Sequence, residues 1–143
     1  MKTIWDEKRL LVLVILLVLC CACAPRFTKP NTEEALKERV DLLWKAKVKG
    51  DWGTVYNMTD TRFKKMAARD RYIKKANLIV KNFTILNVDV NENGKQGSST
   101  VTFETIMMGH SLKARMKELW VFEDGAWHLN RSDRRTPFDK MKK

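Results

Sequence analysis

A chain of 143 residues with a formal net charge of +11 has the length of one domain, and it can bury a core without disulfide or metal staples. An apolar share of 44% and a charged share of 31% are those of an ordinary globular chain. All three cysteines lie between Cys20 and Cys23, which excludes a disulfide framework in the body and leaves a zinc clamp without ligands.

The chain opens on "MKTIWDEKR", and Leu10 to Leu19 follow as ten unbroken apolar residues. A charged start, a short apolar run and a small-residue exit form an export signal. Leu10 to Ala24 is 15 residues, short of the ~20 that a membrane-spanning helix needs. Residues 1–22 carry only +1, so the remainder holds +10. That balance favours polyanions such as lipid head groups or envelope polymers. Nucleic acid is not expected to meet an exported protein.

The stretch "LVLCCACAPRF" (Leu17 to Phe27) resembles a bacterial lipoprotein signal. Cys23 follows the small Ala22 and is the favoured site of lipid attachment; Cys21 is the alternative. Pro25 argues against ordinary cleavage after Ala24. The expected division is a signal at 1–22, a tether at 23–30, a domain at 31–131 and a basic tail at 132–143. The location is outside the cytoplasm, on a bacterial membrane facing the periplasm or exterior.

Asn31 with Glu34 reads as a helix start. Leu36, Val40, Leu43, Trp44 and Val48 share one face of the helix that follows, and Gly50 ends it. Asp51 caps a short second helix with Trp52, Val55 and Tyr56 on one face. A third helical region, "TDTRFKKMAARDRYIKKAN", turns Phe63, Met66, Ala67, Ile73 and Ala76 inward, with a break at Asp70. Arg62, Lys64, Lys65, Arg69, Arg71, Lys74, Lys75 and Lys81 make it the densest basic stretch.

From Asn82 the period becomes two. "FTILNVDV", "SSTVTFETIMM", "LKARMKELWVFE" and "WHLNR" read as four strands, with turns at Asn93-Gly94, "GHS" and Asp124-Gly125. The third strand alternates cleanly up to Lys117. Leu119, Trp120, Val121 and Phe122 are then all apolar, which predicts a bulge near Lys117 to Leu119 or cover on both faces. The sum is an α+β domain with helices before a curved antiparallel sheet of four or more strands.

"GDWGTVYNMTD" at the second helix and "WVFEDGAWHL" at the last hairpin carry a resemblance over Asn31 to Arg131. The pegs are Gly50, Asp51, Trp52, Tyr56, Trp120, Asp124, Gly125 and Trp127. The chain resembles the nuclear-transport-factor-two-like (cystatin-like) superfamily, and within it the small bacterial lipoproteins. The resemblance implies a cone-shaped fold whose sheet wraps the helices around a cavity. That superfamily holds both enzymes and simple binding domains, so the site must choose between them.

Proton-shuttling members use a carboxylate or histidine inside the cavity, with a second group opposing it. Alternation turns Asp89, Glu104 and His128 outward, and His110 sits in a turn. Tyr56 and Glu118 have the claim to the interior. One acid without a partner is a poor catalytic set. The expectation is a membrane-tethered, non-catalytic binding or accessory domain that holds a small apolar ligand. Its cavity would be lined by Trp44, Trp52, Tyr56, Trp120, Phe122 and Trp127. An isomerase or dehydratase using Glu118 is one alternative. The other is a basic module docking on anionic lipid or cell-wall polymer through Arg62 to Lys81. No cofactor or metal is expected, and the oligomeric state is left open.

Overall fold

The computed structural model describes residues 30–131. Cys21, Cys23, the signal, most of the tether and the basic tail lie outside the described residues. Four helices come first: α1 (Glu33–Val48), α2 (Trp52–Asn57), α3 (Thr61–Met66) and α4 (Arg69–Lys75). The strands β1 (Val80–Val90), β2 (Gln96–Met107), β3 (His110–Glu123) and β4 (Ala126–Leu129) follow. They form one antiparallel sheet in the order β1-β2-β3-β4. The α+β reading holds, with helices packed on a sheet that is not closed.

α1 begins one residue later than expected. Thr32, not Asn31, is the cap, and its hydroxyl accepts from Ala35 N at 3.3 Å. Leu36, Val40, Leu43 and Trp44 are fully buried, as their helical spacing demands. The expected fifth member is replaced: Val48 is 39% exposed while Lys47 is 5% exposed. Lys47 follows Leu43 by four residues and Val40 by seven, so helical period alone puts it on the inner face. The helix closes in a Schellman motif, with Gly50 N donating to Lys47 O and Asp51 N to Ala46 O. Gly50 supplies the required positive φ of 69°. Asp51 then caps α2 through Thr54 N at 3.0 Å.

The third helical region is two helices, broken at Ala67 and Ala68 rather than at Asp70, where both alanines turn extended. Neither α3 nor α4 buries a residue. Met66 is 63% exposed, and its expected inward place is taken by Tyr72, whose ring lies 5.5 Å from Tyr56 and 5.8 Å from Phe63.

The β2–β3 register runs without interruption from Gln96↔Val121 to Met107↔His110. Of the two readings of β3, a bulge or cover on both faces, the bulge is therefore absent; register shifts fall instead in the β1–β2 pairing. From Ala114 to Trp120 the even-numbered positions of β3 are the more buried ones, and Glu118 occupies one of them beside buried Trp120. Leu119 is an exposed apolar residue on the outer face. At Gly97, opposite Trp120, a Cβ would lie 2.5 Å from Leu36 Cδ2 and 2.8 Å from Asp89 O. The missing side chain lets α1 approach the sheet. Both later hairpins turn on two residues with positive φ, Met108-Gly109 and Asp124-Gly125, a geometry that matches strand twist. The free edge of β4 is covered by the α2–α3 link, through Asp60 N to Leu129 O and Leu129 N to Met58 O.

Candidate ligand-binding site

A buried charge junction joins α1 to β3. Lys47 Nζ donates to Glu118 Oε1 at 2.6 Å, and Trp44 Nε1 donates to Glu118 Oε2 at 2.8 Å. Lys47 Nζ also sits 3.8 Å from the Trp44 ring centroid. Both carboxylate oxygens thus carry a donor, and the cation rests on an aromatic face. Glu118 is in the interior as expected, with a lysine partner rather than a second acid.

Beside this junction lies a cleft of about 480 Å³ between the α3–α4 segment and the sheet. Trp52, Phe63, Tyr72, Leu78 and Met116 supply its apolar surface, and Ala67 and Ala68 leave it room. Tyr56 stands behind this wall. Its hydroxyl donates to Ala67 O at 2.7 Å, which holds the α3–α4 break in place. Among the described residues four cations line the cleft, Lys47, Arg71, Lys75 and Arg131, and no carboxylate does. Glu118 neutralises Lys47. Arg131 lies 5.8 Å from the Phe63 ring and 5.9 Å from the Tyr72 ring. Arg71 and Lys75 form no ion pair among the described residues.

Of the six aromatic residues expected to line a cavity, Trp52 lines this cleft. Trp44, Trp120 and Trp127 are core residues at 0%, 1% and 2% exposure, because large rings gain most where they are fully buried. Trp120 Nε1 donates to buried Ser99 at 2.9 Å. Phe122 packs edge-on against Trp127 at 5.3 Å.

The basic residues disperse as well. Arg71 and Lys75 reach the cleft, and Lys74 is exposed outside it. Lys64 donates to Asn57 O at 2.7 Å. Arg62 and Lys65 border a second depression shared with Glu123 and Asp124. The Asp51 carboxyl is held below the usual range by the Thr54 hydroxyl and amide, with Arg69 nearby. The Glu104 carboxyl is lowered chiefly by the Ser111 hydroxyl, then by Asn82, with Lys81 and Lys113 adding to it. Asp89 and His110 are exposed, and His128 is half-buried against Thr59 O at 3.2 Å.

Sequence reasoning missed Lys47, Tyr72 and Arg131. The spacing of Lys47 within α1 was the available signal for the first; for Arg131, beyond the last strand, there was none. Among the described residues no helix is long and apolar enough to cross a membrane, and no group of His, Cys, Asp and Glu could hold a metal.

No family model and no curated protein matches the sequence. Solved structures do. The solution structure of a SEC-C motif containing protein from Rhodopseudomonas palustris aligns with a TM-score of 0.56 at 14% identity, over 74% of this chain and 80% of that one. The intermembrane space region of the chloroplast protein ARC6 aligns at 0.43 and 14% identity, over 75% and 95% of the two chains. The first likeness shows the fold: helices before an antiparallel sheet.

Proposed function

We propose that this chain is a membrane-tethered, non-catalytic binding domain of the bacterial cell envelope, and that the α3–α4 cleft is its ligand site. The cleft carries the reading. Its volume falls in the range of ~300–1,000 Å³ usual for small-molecule sites, and such sites are mostly apolar with a few polar groups. Trp52, Phe63 and Tyr72 give it three aromatic surfaces.

The tether rests on the sequence around Cys23, or Cys21 as the alternative. The cone-shaped architecture of the nuclear-transport-factor-two-like superfamily belongs to the same proposal, supported by the element order and by the pegs from Gly50 to Trp127. An isomerase or dehydratase gains no support, because both oxygens of Glu118 already hold donors within the fold.

Two measurements test the proposal. The intact mass of membrane-extracted protein should correspond to a diacylated or triacylated chain beginning at Cys23 or Cys21. A chain beginning at Pro25, or one retaining Met1 without lipid, would refute the tether. Native mass spectrometry of gently purified protein should retain a small ligand, and Ala68→Trp, which fills the cleft, should release it. A domain that is empty in every preparation, and that binds none of the apolar probes described below, would refute the ligand site.

A further inference from the structure

The cleft combines features that a site for a purely apolar ligand does not need. Arg71 and Lys75 are four residues apart on α4, so their charges sit on one face of a seven-residue helix. Like charges at that spacing repel, and α4 also begins without a side-chain cap. Each residue is exposed and unpaired by any carboxylate among the described residues. Arg131 approaches the same cleft from beyond β4, over the faces of Phe63 and Tyr72. Lys47 is neutralised by Glu118, which leaves Arg71 and Lys75, among the described residues, as the unpaired cations beside an aromatic surface.

We propose that the cleft takes an anionic amphiphile, whose carboxylate or phosphate head lies among Arg71, Lys75 and Arg131 and whose apolar body lies on Trp52, Phe63 and Tyr72. This rests on the cleft being the ligand site and adds the class of molecule. An anionic head relieves the Arg71–Lys75 repulsion and meets two guanidinium groups, which bind carboxylate and phosphate in a fork. The aromatic side takes the body out of water at ~25 cal/mol per Å² of buried apolar surface. A ligand with the body alone leaves Arg71 and Lys75 unmatched, and one with the head alone leaves the rings wet.

Calorimetric titration of the full chain at low salt separates these parts. The probes are decanoate and decyl phosphate below their micellar ranges, decanol, and inorganic phosphate. One of the two charged decyl compounds should bind one-to-one, at least about tenfold more tightly than decanol or inorganic phosphate. The stronger of the two identifies the head as carboxylate or phosphate. The double variant Arg71→Gln/Lys75→Gln should lose about tenfold or more in affinity for it, with a melting temperature that is not lowered, because both side chains are exposed and their mutual repulsion is removed. Added salt should weaken the wild type more than the variant. Decanol binding as tightly as the charged probes would overturn the anionic head and leave the ligand site standing. Inorganic phosphate binding as tightly as decyl phosphate would overturn the amphiphile. Full affinity in the double variant would overturn the placement of the head. Binding of none of the four probes would overturn this inference, and together with a domain found empty by native mass spectrometry it would overturn the ligand site as well.

Discussion

The helix α1 packs on the sheet and the segment α3–α4 packs on α2, and they bury very different amounts. α1 places Leu36, Val40, Leu43 and Trp44 at 0% exposure. α3 and α4 together bury no residue. They are held by the Tyr56–Phe63–Tyr72 ring cluster and by one hydroxyl reaching Ala67 O. The first region uses its apolar side chains for cohesion; the second turns them toward a cleft. Segments with few buried contacts open at low free-energy cost, so the wall of a binding cleft is a sensible place for weak packing.

The largest test of this contrast is at the charge junction. Glu118→Ala removes the carboxylate to which the buried Lys47 ammonium and Trp44 indole both donate. Breaking a buried pair in this way costs about 3–5 kcal/mol, which urea unfolding would register. Replacing both partners by Lys47→Met and Glu118→Leu should recover the part of that loss due to the uncompensated charge and leave about 1–3 kcal/mol for the Trp44 indole, which still lacks its acceptor. A loss in the double variant as large as that of Glu118→Ala would mean that the pair supports the fold in its own right. Gly97→Ala is next. Its Cβ meets Leu36 and a backbone carbonyl that cannot yield, so the α1–sheet layer should lose about 1–3 kcal/mol by overpacking. A smaller effect would mean that α1 can slide on the sheet.

These sites also mark what the sequence could and could not reveal. Period fixed the helix and strand types, and the turns at Asn93-Gly94 and Asp124-Gly125 were readable from residue chemistry alone. The pairing of Lys47 with Glu118 was not: each inward place could be read from its own element, but the partner lies 71 residues away. In β3 the charge at Glu118 read as a break in alternation, although the alternation continues through it. The cleft was harder still. Six aromatic residues were expected to line a cavity, but ring size favours the core, and three of the four described tryptophans went there. What lines the cleft is a set drawn from five separate segments of the chain, joined by tertiary packing that no local period encodes.

In the loosely packed region the expected losses are smaller. Tyr56→Phe keeps the ring cluster and removes the hydrogen bond to Ala67 O, at a net cost of ~0.5–1.5 kcal/mol. Because that bond spans the α3–α4 break, amide exchange should accelerate in α4 well before it changes in β2. Equal acceleration in both would mean that the segment opens only with the whole domain, and the contrast between the two regions would fail.

The smallest change should be a gain, and it lies on the sheet away from the cleft. Met108 has φ of 51° and is 93% exposed. A left-handed backbone costs an ordinary L-residue roughly 1–2 kcal/mol, and asparagine escapes most of that by bonding locally. At the first position of a two-residue hairpin turn ahead of glycine, asparagine is also the preferred residue. Met108→Asn should therefore raise stability by up to about 1 kcal/mol, seen as a higher denaturant midpoint with an unchanged slope. Binding at the cleft should not change, because the turn joins β2 to β3 and none of its residues lines the cleft. A loss of stability would show that the exposed methionine side chain holds the hairpin tip more firmly than its backbone strain loosens it.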